Sequence, residues 1–383
     1  MRKMIKKRAK IILLSVLVVV SLFFLLEKNF LPGISTKSPS SKNLQFLGTV
    51  INLIKNHYIE EPNPLKTMEG AFKGLVDSLD ILSSYLDKES AIKYKYQKEE
   101  RLNETGIILY KKYGSFPQVI GIIKNSPAEK KEIKIGDLIS AIDNSPTLPM
   151  SMLEANLHLK DKEETSIKLK IIGRNETQEI TIKRKLLFEE PVSYSPLKDS
   201  SGILKIHHLY PPCVNKIKEE ILPRIRPQKK TLILDFRNCF EGELEEAWRL
   251  TNLFLKAKEI GYIEKKGGVK EILSCEKEPE LGKLPIIIWT NQATLGPAEA
   301  VAAVLNEFKK AKILGLPTPG LVAKQDFFAL ENGSALILTS GIFHLKSGKK
   351  LWKSGLTPDV KIKREDQNDE SYLKSTLVLL RRM

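Results

Sequence analysis

The segment from Asn291 to Glu299 reads NQATLGPAE, a turn and helix start of the kind that can hold a nucleophile. Before it, Pro285 to Trp289 is a short apolar run rich in β-branched residues and reads as a strand buried on both faces. Pro297 suits the first helical position, where a missing N–H costs nothing, and Glu299 falls in the first turn, which favours a carboxylate. Ala298, Val301, Ala302, Leu305 and Phe308 recur at helical spacing, so one helix face packs on a sheet. Free amides at such a helix tip point outward and favour negative charge. A hydroxyl at the turn would attack a carbonyl there while the amides held the oxyanion. The turn offers Gly296 instead, which has no side chain. A second strand, from Lys312 to Gly315, leads into Thr318, Gly320, Leu321, Lys324 and Gln325.

These segments resemble the motifs of the C-terminal processing peptidases (tail-specific proteases), a family of Ser/Lys peptidases. On this resemblance Asn291, Ala293, Pro297, Ala298 and Glu299 hold the register of the nucleophile motif, and the serine position falls on Gly296. Gly315, Thr318, Gly320 and Gln325 hold the register of the second motif, and the lysine position falls on Leu321. A Ser/Lys pair needs a hydroxyl and a neutral amine that takes its proton, and burial keeps such a lysine neutral. Glycine cannot attack, and leucine cannot accept a proton. What remains is orientation and part of an oxyanion hole, worth about 10³–10⁴ over water in serine proteases lacking triad members. That is too little for peptide hydrolysis. A third segment, from Thr231 to Asn238, resembles the family's strand ending Asp-Leu-Arg, whose following glycine turn the resemblance makes an oxyanion donor. Here the turn reads Cys239-Phe240-Glu241-Gly242, and Glu241 is expected to place negative charge near a developing oxyanion. The alternative is a relocated pair, Thr294 with Lys324. Using it abandons Gly296-Pro297 as the turn or breaks the Gly315/Thr318/Gly320/Gln325 frame. Otherwise Thr294 reads as a turn residue and Lys324 as a surface charge.

Around these segments strand and helix alternate through Lys312. The run from Gly202 to Leu209 opens the core, and helices are expected from Val214 to Ile221 and from Glu243 through Leu255, which argues for α/β layers. The resemblance implies an α/β peptidase core with ClpP/crotonase-like layers over residues 186–365, followed by a tail at 366–383. Residues 101–185 resemble an inserted, β-rich PDZ domain. Gly106-Ile107-Ile108-Leu109 matches the loop and strand that receive a peptide C-terminus. Ser126-Pro127-Ala128 and the run from Ile135 to Asp143 match the central motif, and Met152 to Leu159 reads as the groove helix. The implied mechanism is strand addition. A peptide pairs with the edge near Ile108, and amides near Thr105, Gly106 and Ile107 hold its carboxylate. Ile108 stands where the family usually has a second glycine, and a β-branched residue restricts the backbone there. Residues 46–100 carry helices with apolar faces at Phe46, Leu47, Val50, Ile51 and Ile54 and at Met68, Ala71, Phe72, Leu75, Val76 and Leu79. Such helices either pair between subunits, making a homo-oligomer, or pack on their own domain. Residues 33–45 read as a polar spacer.

The chain has 383 residues and a net charge of +16. No block of Lys/Arg interleaved with aromatics appears, so nucleic acid is not an expected partner; the charge reads as a lysine-rich solvated surface, with contact to anionic lipid at a tethering membrane as the other reading. Arg2, Lys3, Lys6, Lys7, Arg8 and Lys10 precede a continuous apolar run from Ile11 to Leu26. With no small-x-small cleavage pattern after it, residues 1–32 read as an uncleaved signal anchor that leaves the bulk of the chain on the periplasmic side. Cys213, Cys239 and Cys275 are widely spaced and read as buried structural residues. His207 and His208 are expected on opposite faces of a strand, so they would not share a metal, and no cofactor is expected. Three readings stand at this point. The first is a pseudopeptidase that binds polypeptide C-termini or an envelope protein partner. The second is an active endopeptidase using Thr294 and Lys324. The third is a structural envelope component without peptide affinity.

Overall fold

A computed structural model describes residues 39–173, 176–187, 190–197, 201–225 and 231–381. The chain divides into two units, Met1–Thr67 and Met68–Met383. The anchor expected between residues 11 and 26 lies outside the described residues. Among those described, no helix is long and apolar enough to cross a membrane. In the first unit a helix spans Pro39–His57. It begins inside the segment that composition reads as spacer, because Pro39 is a good first helical residue. A second helix, Pro64–Asp77, starts in this unit.

The second unit is built on a six-stranded sheet in the order Val192–Pro196, Gly202–Ile206, Leu232–Asp235, Ile286–Thr290, Ala311–Gly315 and Val360–Lys361. All neighbours run parallel except the first pair. The central strand Ile286–Thr290 is buried throughout, and its alternating side chains enter two different cores. Ile286 and Ile288 pack with Leu234, Val301 and Leu305 beneath the helices. Ile287 and Trp289 pack on the other face with Leu314 and Tyr372.

That second face is covered by residues expected to form a tail. Asp369–Leu380 is a helix, capped by Asn368. Trp289 Nε1 donates to Thr376 Oγ1 at 2.9 Å, and the Tyr372 hydroxyl donates to the Thr290 carbonyl at 2.8 Å. The Arg237 guanidinium lies over both rings and pairs with Asp235 and Asp369. Burial pushes the Asp235 carboxyl up, but Lys205 and Arg237 outweigh it and bring it down to about 2.

The expected alternation of strand and helix is interrupted once. Between the helix Leu244–Thr251 and the central strand lies an antiparallel hairpin, Ala257–Lys265 with Lys270–Cys275. Its turn is Gly267-Gly268, both at positive φ, a signal present in the sequence. The hairpin joins Ala335–Leu345, Ala323–Ala329 and the short strand Ser84–Leu86 in a second sheet. His207 and His208 fall just beyond the strand that ends at Ile206, not on it. His207 Nε2 meets Ser193 Oγ, and the Tyr210 amide donates to His208 Nδ1. Burial pushes both imidazoles down, to about 4 and about 3, so both are neutral at pH 7. The three cysteines are free and buried, and burial raises the Cys239 thiol to about 12 and Cys275 to about 11.

The PDZ-like module is a separate sheet in the order Ile107–Tyr110, Gln118–Ile122, Leu138–Ile142, Ser166–Ile172 and Thr177–Lys183. Ser166–Ile172 alternates exposed and buried, and Ile167, Leu169 and Ile171 fill the module's core. The helix Met152–His158, capped by Ser151, flanks the edge strand Ile107–Tyr110.

Candidate functional site

The strand Ile286–Thr290 delivers its C-terminal end to a turn stitched to the neighbouring strand's loop. Asn291 Oδ1 accepts from the amides of Asn238 and Ala293, and Asn291 Nδ2 donates to Asn238 Oδ1 at 2.8 Å. The Leu295 amide donates to the Cys239 carbonyl at 3.0 Å. The helix Pro297–Glu307 then starts from Gly296, at φ 53° and ψ −112°, a combination reserved almost wholly for glycine.

Glu299 bends back from the first turn and ties this helix to the second motif. Its carboxylate is fully buried and accepts from Gly296 N (2.9 Å), Leu321 N (2.8 Å), Gly320 N (2.7 Å) and Thr318 Oγ1. Burial raises the Glu299 carboxyl against the pull of these donors. Gly320, at φ 83°, is required here: a Cβ would lie 2.2 Å from the Leu351 carbonyl oxygen. Glu299, Thr318 and Gly320 thus form one hydrogen-bonded frame, and Asn291 with Asn238 a second one beside it.

Gly296 and Leu321 both give their amides to the Glu299 carboxylate. Leu321 packs with Ile108, Ile120, Ala293 and Leu295 in an apolar cluster between the core and the PDZ-like module. Two amides of the helix tip are already taken. The Gly296 amide is held by Glu299, Pro297 has no N–H, and the Ala298 amide donates to the Leu295 carbonyl at 3.2 Å. Thr294 is fully buried, with Oγ1 donating to the Phe236 carbonyl at 2.8 Å and accepting from Asn291 N at 3.0 Å. Lys324 Nζ pairs with Glu271 at 3.4 Å. Each is engaged with a different part of the fold. Gln325 Nε2 reaches the Leu82 carbonyl at 2.7 Å.

Glu241 does not present a bare charge at the neighbouring turn. It forms an ion pair with Lys160 of the PDZ-like module, and both side chains are largely buried. Glu104 lies beside them, its carboxyl raised by burial. Two further bonds join the module to the core: Asn238 Nδ2 to the Ile122 carbonyl (3.0 Å) and Gln292 Nε2 to the Ile120 carbonyl (2.9 Å). Sequence reasoning missed Lys160. Its partner is 81 residues away, and nothing local marks it.

A cavity of about 310 Å³ opens where these parts meet. Gly296, Leu321, Lys324 and Gln325 line it from the core, and Met152, Asn156 and Leu157 from the groove helix. Of the five residues expected to receive a peptide, only Leu109 reaches it. Thr105, Gly106, Ile107 and Ile108 are buried elsewhere.

Residues 202–362 match the model of peptidase family S41, and residues 98–172 match the PDZ domain. The carboxy-terminal processing protease CtpA of Bacillus subtilis (strain 168) is 30% identical over 346 residues, covering 88% of this chain and 73% of that protein. The chain belongs to peptidase family S41. A protein of Staphylococcus aureus (strain MRSA252), named a probable CtpA-like serine protease, is 26% identical over 92% of this chain and 70% of its own length. Among solved structures, the photosystem II D1 C-terminal processing protease superposes with a TM-score of 0.69 at 17% identity, over 85% of this chain and 89% of that one. That likeness speaks for the fold.

Proposed function

We propose that this chain is a pseudopeptidase of the C-terminal processing family, held at a membrane by its N-terminal segment with its bulk on the extracytoplasmic side. In this reading it binds unfolded polypeptide tails or a partner protein in the cleft beside its PDZ-like module and does not cut them. One observation carries the reading: the position that would hold the attacking oxygen is Gly296, and the position that would hold its base is a leucine packed in an apolar cluster at the cavity's edge. The relocated pair lacks geometric support, since the Thr294 hydroxyl and the Lys324 amine each serve another partner. With no nucleophile–base contact, covalent catalysis has no first step.

The test is to incubate the purified chain with unstructured polypeptides and follow cleavage by mass spectrometry. No cleavage is expected, together with retained binding. Reproducible cleavage abolished by Thr294→Ala or Lys324→Ala would overturn the reading. Membrane fractionation, and protease protection of the C-terminal part in intact cells, test the placement.

A further inference from the structure

The helix Pro39–His57 has two unlike sides. With about 3.6 residues per turn, Phe46, Leu47, Val50, Ile51, Leu53 and Ile54 fall within an arc of about 160°. Gln45, Thr49, Asn52 and Asn56 occupy the opposite side. None of the six apolar side chains is buried, and Phe46 is 71% and Leu53 53% exposed. The helix contains no acidic residue, and Lys55 and His57 close its last turn. An apolar side this broad needs a cover.

Three features favour a bilayer surface as that cover over a second copy of the helix. The arc is wider than a coiled-coil seam, so pairing two such helices would leave its flanks in water. The absence of carboxylates removes repulsion from an anionic headgroup layer. The third feature is the chain that precedes the helix. A basic head and the apolar run ending at Leu26 are followed by residues 27–38. Even fully extended, that stretch spans no more than about 43 Å. An anchor in the apolar run therefore keeps the helix, about 28 Å long, within reach of the lipid that holds the chain. Among the described residues no helix is long and apolar enough to cross a membrane. A helix with one polar side lies along the surface instead, apolar side down.

We infer that Pro39–His57 lies in the interface of the bilayer that holds the chain, with Phe46 and Leu53 among the acyl chains and Thr49 and Asn52 facing water. This rests on the membrane placement proposed above and adds a second contact to it. The test uses the full chain carrying Phe46→Cys, Leu53→Cys, Thr49→Cys or Asn52→Cys, one at a time. The native cysteines are buried, so a nitrobenzoxadiazole label goes to the introduced thiol. Each labelled chain is reconstituted into phosphatidylcholine–phosphatidylglycerol vesicles and floated on a density gradient, with and without nitroxide-bearing phosphatidylcholine. Labels at positions 46 and 53 are expected to emit at shorter wavelength and to be quenched at least about twofold more than labels at 49 and 52. Shielded but unquenched emission at 46 and 53, whether or not a bis-maleimide then joins two copies, would overturn the inference. So would water-like emission at all four positions in chains that float with the vesicles, and both results leave the membrane placement standing. Chains that do not float with the vesicles would overturn the placement and this inference together.

Discussion

On the pseudopeptidase reading, Gly296→Ser with Leu321→Lys is expected to give a protein that is less stable and does not cut. Gly296 holds a backbone state that other residues enter at about 1–3 kcal/mol. A Cβ there would meet only the Leu321 carbonyl oxygen, at 3.4 Å, so the penalty is torsional and not steric. Leu321 is 5% exposed within its apolar cluster, and burying a leucine is worth about 1.5–3 kcal/mol. An amine in its place must stay neutral or open the interface to water. The two positions adjoin, so their costs do not simply add. A loss of about 2–5 kcal/mol is expected, which lowers Tm by roughly 5–15 °C. The reaction would still lack an oxyanion donor at the helix tip, where Pro297 has no N–H and the amides on either side are bound. One such donor is worth about 10²–10³ in rate. The assays are thermal unfolding and mass spectrometry of an unstructured polypeptide. Strong cleavage by the double variant, with Tm unchanged, would refute both parts of the reasoning.

Lys160→Ala leaves the largely buried Glu241 carboxylate without its cation, and is expected to cost about 3–5 kcal/mol in denaturant unfolding. Lys160→Met with Glu241→Leu should recover most of that loss. Asp77 is buried beside Glu154, and burial above all raises its carboxyl from an ordinary 3.8 to about 7. The native state therefore holds this proton where the unfolded chain has lost it, so stability should fall as pH rises from about 4 to about 7 and level off above that. Asp77→Asn should remove this part of the slope when its unfolding curves are compared with wild type; identical slopes would exclude the assignment. Truncation after Gln367 strips the helix from Trp289, Ile287 and Leu314. Loss of cooperative unfolding, followed by tryptophan fluorescence, is expected, and a soluble, cooperative truncated chain would contradict it.

The sequence by itself determined the features whose causes are local. The β-branched run before Asn291, the proline-started helix with Glu299 in its first turn, and the register from Gly315 to Gln325 each depend on residues a few positions apart. So do the alternating strands of the PDZ-like module. Gly296 and Leu321 stood out in the same way, because the resemblance implies which position would carry the hydroxyl and which the amine. Tertiary structure alone decided where Glu241 finds Lys160, where Gln292 meets the Ile120 carbonyl 172 residues away, and which helix covers Trp289. It also decided that the Gly296 and Ala298 amides are taken and that Ile108 packs in one cluster with Leu321. Periodicity specifies which face of an element is apolar. Which partner covers that face, and which charge answers which, is set by chain closure over long separations, and a single sequence carries no local signal for it.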